Sequence, residues 1–388
     1  MLRLENEIGV YFKEKLAMNE IYLGLMSGTS LDAVDAVAVS FAPNGVIQLL
    51  GTHSLTLPQQ LRTEILTLTQ PKDNEIERLG VVDNKLGKLF AECANQLLTK
   101  LALSATDIKA IGSHGQTIRH RPYAETPFTL QITDPNMIAE QTGITVVADF
   151  RRRDVAAGGQ GAPLVPAFHE ALLRTSQKNR VILNLGGMAN ITVLPAEENQ
   201  AVYGYDTGPA NVLMDAWCQQ KINQPFDKNG AWAATGNVNS KLLAEMLAHP
   251  FFAKTPPKST GREDFHLDWL IDFFNCGYSN ILAEDVQATL LALTAQSVAD
   301  AVMQTGFTTG ELWLCGGGAY NQALWQLLAK KLPHFSLHST EEIGIAPSWI
   351  EASAFAWLAK QTLQGLSGNL PAVTGAAGKR ILGGIFQA

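Results

Sequence analysis

Two stretches of the chain repeat one order of apolar runs, and this repeat constrains the fold more than any other feature. The first stretch predicts strands at 21–26, 34–41 and 46–54, helices at 58–69 and 75–103, and a strand at 109–113. The second predicts strands over Arg180–Leu185, Ile191–Leu194 and Val202–Asp206, helices at 209–221, 239–248 and 283–304, and a strand over Leu312–Cys315. Such a repeat predicts two α/β domains built on one plan by internal duplication. We therefore expect a functional site in the cleft between them.

The repeat also predicts where the domains begin and end. Residues 1–20 precede the first convincing strand and mix charged with apolar residues, so we interpret them as an N-terminal extension, either a short helix or a frayed arm. The N-terminal α/β domain then covers 21–175, and the C-terminal α/β domain covers 176–388. Helical patterns at 163–174 and 349–364 are expected to connect or buttress the halves. The second of these is rich in Ala, Trp and Phe and predicts buried packing.

The composition and charge argue against several classes of protein. Of the 388 residues, 46% are hydrophobic and 17% are charged, which is typical of a globular chain with a large core. A net charge of -7 argues against a general nucleic-acid binder, because such proteins need an excess of Lys and Arg. The four cysteines form no CxxC pair, which favours a reducing compartment. Neither a signal-peptide pattern nor an apolar run of about 18 residues is evident, so we expect a cytoplasmic protein without a membrane partner.

Three glycine-rich turns follow predicted strands and together could embrace a nucleotide. The first, "GLMSGTSLD", joins two strands and offers several backbone N–H groups and hydroxyls at one point, which suits a phosphate. The second, "NLGGMANIT", would reach the phosphates from the other side of the cleft, and the glycines of "LCGGGAYN" would let the backbone approach an adenosine. The predicted nucleotide-binding residues are Gly28, Thr29, Ser30, Leu31, Asp32, Ala33, Val34, Asp35, Gly186, Gly187, Asn190, Gly316, Gly317, Gly318 and Asn321.

Each turn alone is a weak signal. An ordinary hairpin, in which Gly28 only supplies a permissive backbone, is an equally good interpretation of the first turn. The sequence contains neither GxxxxGK[ST] nor GxGxxG, which weakens the P-loop and Rossmann interpretations. It also lacks a GxSxG elbow, because Ser27 is followed directly by glycine, so a serine hydrolase is not indicated.

The duplicated architecture and the three turns resemble the superfamily of sugar kinases, Hsp70 and actin, whose members bind ATP with a duplicated actin-like, ribonuclease H-like fold. Within it, segments from about residue 21 to the C-terminus resemble the anhydro-N-acetylmuramic acid kinases. These segments are "GLMSGTSLDAVD", "SHGQT", "DFRRRDVAAGGQGAPLVP", "NLGGMANIT", "YDTGPAN", "CGGGAYN" and "PAVTGA". Each is short, but together and in this order they are highly specific. Ala33 stands where the family usually has glycine, and the first twenty residues lie outside the resemblance.

The resemblance implies a kinase that binds ATP with magnesium, opens the 1,6-anhydro bridge of a cell-wall amino sugar with water, and phosphorylates O6. The product would be N-acetylmuramic acid 6-phosphate, the cellular role would be peptidoglycan recycling, and a homodimer is also implied. O6 is an ether oxygen at the start, so it carries no proton for a base to remove, and water must be activated instead. Phosphoryl transfer then needs mainly positioning and charge neutralisation, supplied by magnesium and the glycine-rich turns.

Several carboxylates compete for the catalytic and metal-binding roles. Asp206, in "GYDTGPAN", stands at the end of a predicted strand and is favoured as the base that activates water. Asp149, which ends the strand in "TVVADF", is the rival, although an ion pair with a neighbouring arginine is its simpler interpretation. Glu351 aligns with an acidic position of the family, but a glutamate at a helix start is also routine. Asp32 is placed to approach magnesium, directly or through water. For Asp35, capping or bracing the hairpin is the alternative interpretation.

Substrate recognition calls for a cation, because the lactyl group of a muramic acid carries a carboxylate that arginine can hold through two parallel hydrogen bonds. Arg119 and Arg151 are the candidates. His114 and Gln116, in "SHGQT", offer polar edges for sugar hydroxyls or the N-acetyl group, and Thr117 completes the predicted set. A lone histidine after a strand is, however, more often a structural hydrogen-bonding residue.

Two other functions remain compatible with the sequence. An ATP-driven conformational protein would share the fold without phosphorylating a sugar, but "SHGQT" and "DFRRRD" are better explained by a small anionic ligand. Another sugar kinase would need a carboxylate aimed at a substrate hydroxyl, and residue types alone do not exclude one.

Overall fold

The computed structural model describes residues 19–28, 31–43 and 45–388, and these residues form two compact units. Unit 1 combines the described residues up to Phe168 with Trp349–Ala388, and unit 2 comprises His169–Ser348. The predicted extension at 1–20 lies outside the described residues, except for residues 19 and 20.

Unit 1 is built on a six-stranded sheet with the order β13-β7-β4-β1-β2-β3. Its strands are β1 (Glu20–Ser27), β2 (Ala33–Phe41), β3 (Ile47–Thr56), β4 (Ile108–Ser113), β7 (Val146–Ala148) and β13 (Gly384–Phe386). The first three strands pair antiparallel, whereas β4 runs parallel to β1 and β7 parallel to β4. A separate antiparallel hairpin consists of β5 (Gln116–Arg121) and β6 (Phe128–Ile132).

Each helix of unit 1 buries apolar residues within the unit. They are α1 (Gln59–Leu68), α2 (Glu75–Leu101), α3 (Pro135–Thr142), α4 (Phe150–Ala156), α12 (Ile350–Leu363) and α13 (Pro371–Thr374). In α2, the residues Val82, Leu86, Phe90 and Leu97 recur at helical spacing and are all buried. Helix α3 begins at a genuine cap, because the Asp134 carboxylate accepts the backbone N–H of Asn136 at 2.9 Å.

Unit 2 carries a five-stranded sheet with the order β10-β9-β8-β11-β12. Its strands are β8 (Arg180–Leu185), β9 (Met188–Leu194), β10 (Tyr203–Pro209), β11 (Gly310–Cys315) and β12 (Phe335–Ser339). Its helices are α6 (Asn211–Ile222), α7 (Ser240–Leu247), α8 (Pro250–Ala253), α9 (Leu267–Phe273), α10 (Ala283–Gln304) and α11 (Gln322–Lys331). Helix α5 (Val165–Leu173) contains the chain boundary between the units.

The two sheets share one topology. In each unit, three successive strands form an antiparallel meander. A fourth strand pairs in parallel with the first strand of the meander, and a fifth pairs in parallel with the fourth. The shared order confirms the predicted duplication and the actin-like, ribonuclease H-like fold class. The predicted strands and helices of both stretches are confirmed, with ends that differ by a few residues.

Helix α12 lies directly on the sheet of unit 1 because two glycines leave room for it. Gly24 of β1 and Gly112 of β4 are register partners on adjacent strands. A Cβ on Gly24 would lie 1.9 Å from the carbonyl oxygen of Ala352, and a Cβ on Gly112 would lie 2.0 Å from that of Phe355. Both positions therefore require glycine for this close approach.

The predicted C-terminal domain, 176–388, needs a correction. The contacts of the last forty residues place Trp349–Ala388 in unit 1, and the other boundary falls at 168/169 rather than at 175/176. The physical reason is that α12 packs on β1 and β4, while β13 pairs antiparallel with β7. The buried packing predicted for 349–364 is confirmed.

Helix α10 forms much of the core of unit 2, and its residues Val286, Leu290, Leu293 and Val302 are buried. Within the described part of the chain, it is the one helix whose length and apolar composition would suffice to cross a membrane, but most of it is buried inside the protein. Burial of this kind is typical of the core helix of a globular unit.

Candidate active site

Asp206 lies within β10 of unit 2, and a neighbouring loop holds its carboxylate. Its backbone N–H donates to the carbonyl oxygen of Lys258 at 3.1 Å, and the N–H of Thr260 donates to its Oδ2 at 3.0 Å. The Thr260 hydroxyl in turn donates to Oδ2 of Asp264 at 2.7 Å. Among the described residues, none donates a hydrogen bond to Oδ1 of Asp206, so one carboxylate oxygen is fixed and the other can act on a ligand.

The environment of Asp206 makes it more basic than an ordinary carboxylate. Burial raises its pKa from 3.8 to about 6, the Thr260 N–H opposes this shift, and the charge of Glu263 adds to it. Such a group is largely ionised at neutral pH and still accepts a proton readily, which suits a general base. The loop that contains Lys258, Thr260 and Glu263 was not foreseen from the sequence, although "PPKSTGRED" offered a Gly- and Pro-rich signal.

The second glycine-rich turn links β8, β9 and the start of α6. The carbonyl oxygens of Gly186 and Gly187 accept the backbone N–H groups of Asn211 and Val212, both at 3.1 Å. Asn190 of β9 is the register partner of Asp206. The second turn therefore ends on the strand beside the candidate base. The structure in this way brings predicted nucleotide-binding residues close to Asp206.

The third glycine-rich turn packs tightly at its ends and is open in its middle. Gly316 has a φ of +79°, and a Cβ on it would lie 2.5 Å from Oδ1 of Asn184. A Cβ on Gly318 would lie 2.8 Å from the side chain of Leu185, whereas nothing lies within 4 Å of one on Gly317. Asn321 caps α11, since its Oδ1 accepts the N–H of Leu324 at 3.0 Å.

This third turn forms one wall of a cavity of about 470 Å³ inside unit 2. The cavity is lined by Asn211, Met214, Asp215, Phe226, Asp227, Lys228, Asn229, Gly317, Gly318, Tyr320 and Asn321. Its volume lies within the range of about 300–1,000 Å³ that is typical of small-molecule sites. The glycines and Asn321 were predicted from the sequence. Asp215 and Phe226 were not, because no motif marks them, and Tyr320 was not singled out although it lies within "LCGGGAYN".

The first glycine-rich turn joins β1 to β2 in unit 1. Leu31 donates its N–H to the carbonyl oxygen of Gly28 at 3.2 Å and has a φ of +57°. Thr29 and Ser30 lie outside the described residues. Val34 is buried in the core, and Asp35 accepts the hydroxyl of Ser54 at 2.8 Å.

These contacts place the side chains of Val34 and Asp35 in the hairpin itself. Burial raises the pKa of Asp35, with the Ser54 hydroxyl opposing the shift, and its position across from Ser54 agrees with the bracing role considered for it. Ala33, the next residue after Asp32, is half-buried on β2. Asp32 is different, because its side chain is 75% exposed and its carboxylate lies 4.0 Å from Nη2 of Arg62.

The half-buried Arg151 and the buried His114 form a pair in unit 1. The Nε and Nη2 of Arg151 lie 3.0 and 2.9 Å from Nε2 of His114, and its Nη1 donates to the carbonyl oxygen of Gly161 at 2.8 Å. Since Nε2 accepts these hydrogen bonds, the proton of the neutral imidazole is on Nδ1. Burial and the Arg151 charge hold the pKa of His114 well below its usual value, so the ring is neutral at pH 7.

The Arg151 guanidinium keeps part of its hydrogen-bonding capacity. Burial lowers its pKa to about 10, while the charges of Glu351 and Asp154 oppose that shift, so Arg151 is charged at neutral pH. Three of its five N–H groups are used by His114 and Gly161. One N–H on each terminal nitrogen makes no bond to another described residue. Guanidinium N–H groups on two nitrogens can bind the two oxygens of a carboxylate.

The other predicted substrate-binding residues lie on or beside the β5–β6 hairpin. Arg119 forms an ion pair with Glu75 at the start of α2, so its guanidinium already has an anionic partner. Gln116 is buried, and the Thr117 hydroxyl accepts the side-chain amide of Gln131 at 3.0 Å. Of the two candidate arginines, Arg151 has the clearer capacity for a further carboxylate.

Asp149 and Glu351 occupy different surroundings in unit 1. Asp149 has a φ of +61° before α4, and its Oδ2 accepts Nε of Arg152 at 2.7 Å. The ion pair agrees with the simpler interpretation of "DFRRRD". Glu351 lies in the first turn of α12, and its negative charge acts on the buried Arg151.

Asp154, which the sequence analysis missed, is a buried carboxylate that joins two family segments. Its Oδ1 accepts the side-chain amide of Asn369 at 2.7 Å and the Thr374 hydroxyl at 2.8 Å, and its Oδ2 accepts the N–H of Gly161 at 2.8 Å. Because the carbonyl oxygen of Gly161 holds Arg151, Asp154 fixes the loop that positions this arginine. The pairing of an aspartate in "DFRRRD" with "PAVTGA", more than two hundred residues away, has no local signal.

Solved structures with some likeness to this chain include two nucleotide complexes. The activator of the 2-hydroxyisocaproyl-CoA dehydratase from Clostridium difficile with bound ADPNP has 12% identity and a TM-score of 0.46, with coverage of 89% of this chain and 98% of that chain. A ROK family glucokinase from Streptomyces griseus in complex with glucose and AMPPNP has 12% identity and a TM-score of 0.38, with coverage of 88% and 99%.

Curated relatives are much closer in sequence. An anhydro-N-acetylmuramic acid kinase of Acinetobacter baylyi is 53% identical, over 95% of this chain and 99% of the relative. Those of Coxiella burnetii and Shewanella oneidensis are 52% and 53% identical, over 95% of this chain and 97% and 98% of the relatives. The family model described as anhydro-N-acetylmuramic acid kinase matches residues 20–388. The chain therefore belongs to the anhydro-N-acetylmuramic acid kinase family.

Proposed function

We propose that the protein is a cytoplasmic, ATP-dependent kinase that opens 1,6-anhydro-N-acetylmuramic acid with water and phosphorylates O6, giving N-acetylmuramic acid 6-phosphate in peptidoglycan recycling. Family membership over nearly the whole chain supports the reaction. The observation that carries the mechanism is the Asp206 carboxylate, with one oxygen held by the Thr260 N–H and a pKa raised to about 6.

Asp206 supplies the base that this reaction requires. Its Oδ1 takes a proton from water while the water oxygen forms a bond to C1 of the sugar. The C1–O6 bond breaks as this new bond forms, O6 takes the γ-phosphoryl group of ATP, and ADP leaves. The Thr260 N–H keeps the carboxylate in one orientation, so that it need not reorganise during the reaction.

The turns and the cavity of unit 2 supply the proposed nucleotide site. The cavity beside Gly317 and Gly318 would receive the nucleoside, and the turn at Gly186 and Gly187 would lie beside the phosphates. Asp32 would hold magnesium together with phosphate oxygens, because magnesium in such sites needs only one or two carboxylates and this side chain is exposed. Magnesium, when bound, would neutralise the phosphate charge.

Arg151 is the proposed partner of the lactyl carboxylate. The two N–H groups on its terminal nitrogens would bind the two carboxylate oxygens, while His114 and Gly161 hold the guanidinium plane. A lysine in the same position could not reproduce this fork. Glu351 remains a second catalytic candidate through its charge on Arg151, and Asp149 is less suited as a base because Arg152 already occupies its carboxylate.

One assay tests the proposed function directly. The protein is incubated with ATP and magnesium, and with either the anhydro sugar or the opened sugar, and the products are identified by mass. We expect a product from the anhydro sugar that carries both one added water and one added phosphoryl group. Phosphorylation of the opened sugar alone would instead identify an ordinary sugar kinase. ATP hydrolysis with neither sugar modified would favour an ATP-driven conformational protein.

The homodimer implied by the family resemblance stays part of this proposal. Sedimentation of the full chain at several concentrations would test it, with a mass of about twice 42.0 kDa expected. A monomer at every concentration would contradict it.

A further inference from the structure

The lining of the cavity of unit 2 includes two exposed aromatic side chains, here called its aromatic walls. Phe226 is 55% exposed and Tyr320 is 43% exposed, and both line the cavity. Large aromatic side chains are usually covered in a folded unit, and exposed ones that face a cavity are typical of a site that binds a flat ligand by stacking. A nucleotide base is such a ligand.

The same cavity contains a carboxylate without a hydrogen-bond partner. Asp215 lines the cavity from α6 and is half-buried. In the described part of the chain, no residue donates a hydrogen bond to it, although the charge of Arg262 acts on it. Burial raises the pKa of its carboxyl to about 7, with Arg262 opposing this shift and Asp227 adding to it, so this is an unusual place for an unpaired acid.

The neighbouring acid, Asp227, is already committed to the fold. Its Oδ1 accepts the backbone N–H of Trp232 at 2.8 Å, and its Oδ2 accepts that of Ala233 at 2.9 Å. It therefore stabilises the short helical segments beside the cavity. Of the two aspartates that line the cavity, Asp215 is the one whose lone pairs are available to a ligand.

The position of Asp215 along α6 indicates which part of a nucleotide it meets. Helix α6 begins at the second glycine-rich turn, where the N–H of Asn211 meets the carbonyl oxygen of Gly186. Asp215 follows Asn211 by four residues, so both lie on one face of the helix, about 6 Å apart along its axis. In a nucleotide the ribose comes directly after the phosphates, and its two hydroxyls are hydrogen-bond donors that match two carboxylate oxygens.

We propose that Asp215 is the residue that recognises the ribose, accepting hydrogen bonds from the 2′- and 3′-hydroxyls while the base stacks between Phe226 and Tyr320. The proposal rests on the proposed use of ATP and deepens it. It makes Asp215 a specificity-determining residue that lets the enzyme prefer ribonucleotides over deoxyribonucleotides.

Calorimetry on the full chain tests this inference without requiring turnover. The ligands are ADP, 2′-deoxy-ADP, 3′-deoxy-ADP and IDP, and the proteins are the wild type, Asp215→Asn, Asp215→Ser and the control Asp268→Asn, which alters an acid that is 90% exposed. We expect the wild type to bind ADP about 10- to 100-fold more tightly than either deoxy analogue, because a carboxylate accepts these hydrogen bonds. Both Asp215 variants should lose this preference, with little change for the deoxy analogues, and the control should keep it.

The outcomes separate this inference from the function on which it rests. If the wild type bound ADP and both deoxy analogues with equal affinity, the role of Asp215 would be overturned but the use of ATP would not. The same conclusion would follow if the Asp215 variants kept the preference for ADP over the deoxy analogues. Variants that change the ratio of ADP to IDP but not that of ADP to 2′-deoxy-ADP would assign Asp215 to the base instead, which also overturns it. A folded wild type that binds none of these nucleotides would overturn the proposed ATP-dependent function and this inference with it.

Discussion

The state of a single carboxylate, Asp206, sets the expected pH dependence of the reaction. A general base must be ionised to act, and the pKa of Asp206 is raised to about 6 by burial. We therefore expect kcat/KM for the anhydro sugar to rise with pH through about 6 and to level off above it. In Asp206→Asn, turnover should fall by roughly 10²- to 10⁴-fold and this limb should disappear, while ADP affinity changes little.

The matched control for this prediction is Asp149→Asn. Its ion pair with Arg152 is partly exposed, so its loss should cost less than about 1 kcal/mol of stability and leave turnover near normal. Steady-state kinetics across pH 5–9 on both variants would settle the assignment. Near-normal turnover in Asp206→Asn, or a collapse confined to Asp149→Asn, would move the base to the carboxylate that follows β7.

The same pKa shift predicts a gain of stability when the Asp206 carboxyl group is replaced. The folded state holds the Asp206 proton more tightly than the unfolded state, in which the pKa is near 3.8. Ionisation therefore costs folding free energy, a cost that is absent below pH 3.8 and complete above about pH 6. The difference between a pKa of 3.8 and one of about 6 corresponds to at most about 3 kcal/mol.

Asp206→Asn should accordingly melt at a higher temperature than the wild type at pH 8, and the difference should shrink toward pH 4.5. Asparagine keeps an oxygen that can accept the Thr260 N–H, so the local structure is retained. Calorimetric melting at several pH values is the measurement. The opposite result would be a melting temperature of the variant that falls below that of the wild type at pH 8 but not at pH 4.5. It would show that contacts other than the Thr260 N–H stabilise the buried charge of Asp206.

At the scale of elements, the close packing of α12 on the sheet should be sensitive to one methyl group. In Gly24→Ala, the new Cβ would lie 1.9 Å from a backbone oxygen of α12, and backbone cannot move aside as a flexible side chain can. We expect a loss of about 2–4 kcal/mol, at or above the usual cost of overpacking. Denaturant unfolding of the full chain would measure this loss.

Gly80→Ala provides the control for Gly24→Ala. Gly80 lies in α2, is exposed, and has nothing within 4 Å of a Cβ position. Alanine there should raise stability by about 0.5–1 kcal/mol, because it favours helix without a steric penalty. If the two variants showed the same unfolding midpoint, the contact between Gly24 and α12 would not limit stability.

Elements with a strong internal pattern could be predicted from the sequence, and those defined by distant partners could not. The continuous apolar run of β1 and the helical period in α2 are local, so their positions followed from the residues. The buried character of α12 was also evident, but its composition does not say which sheet covers it. The residues that indicate the sheet of unit 1 are Gly24 and Gly112, which lie opposite each other on adjacent strands. This pairing can be recognised only once the register of the two strands is known.

The residues of the candidate site also fall into those that local motifs predict and those that only the fold brings together. The glycine-rich turns and Asp206 are marked by motifs, whereas the partners that set their chemistry come from elsewhere in the chain. Thr260 is 54 residues from Asp206, and Glu75 is 44 residues from Arg119. Sequence alone therefore marked Arg119 as a candidate cation but not its ion pair, and it marked Asp206 as a candidate base but not the cause of its raised pKa.

At the scale of the whole molecule, unit 1 is discontinuous in sequence and unit 2 is continuous. Unit 1 needs the last forty residues, because α12 covers β1 and β4, β13 pairs with β7, and Asn369 and Thr374 satisfy the buried Asp154. Without them, apolar strand surface and a buried carboxylate would lose their partners. Unit 2 has its own core within His169–Ser348.

We therefore expect that a fragment containing unit 2 alone folds, whereas unit 1 does not fold in a fragment that lacks the last forty residues. A fragment of residues 163–348, which keeps all of α5 and unit 2, should fold with a cooperative melting transition and bind ADP with an affinity within about tenfold of the full chain, since the aromatic walls and Asp215 lie in this unit. A fragment of residues 19–348 should show the transition of unit 2 but not that of unit 1. Circular dichroism melting, limited proteolysis and calorimetry with ADP would compare them. If the fragment 19–348 melted as the full chain does, the last forty residues would not be needed for the fold of unit 1. If the fragment 163–348 failed to fold, the core of unit 2 would depend on residues outside this unit.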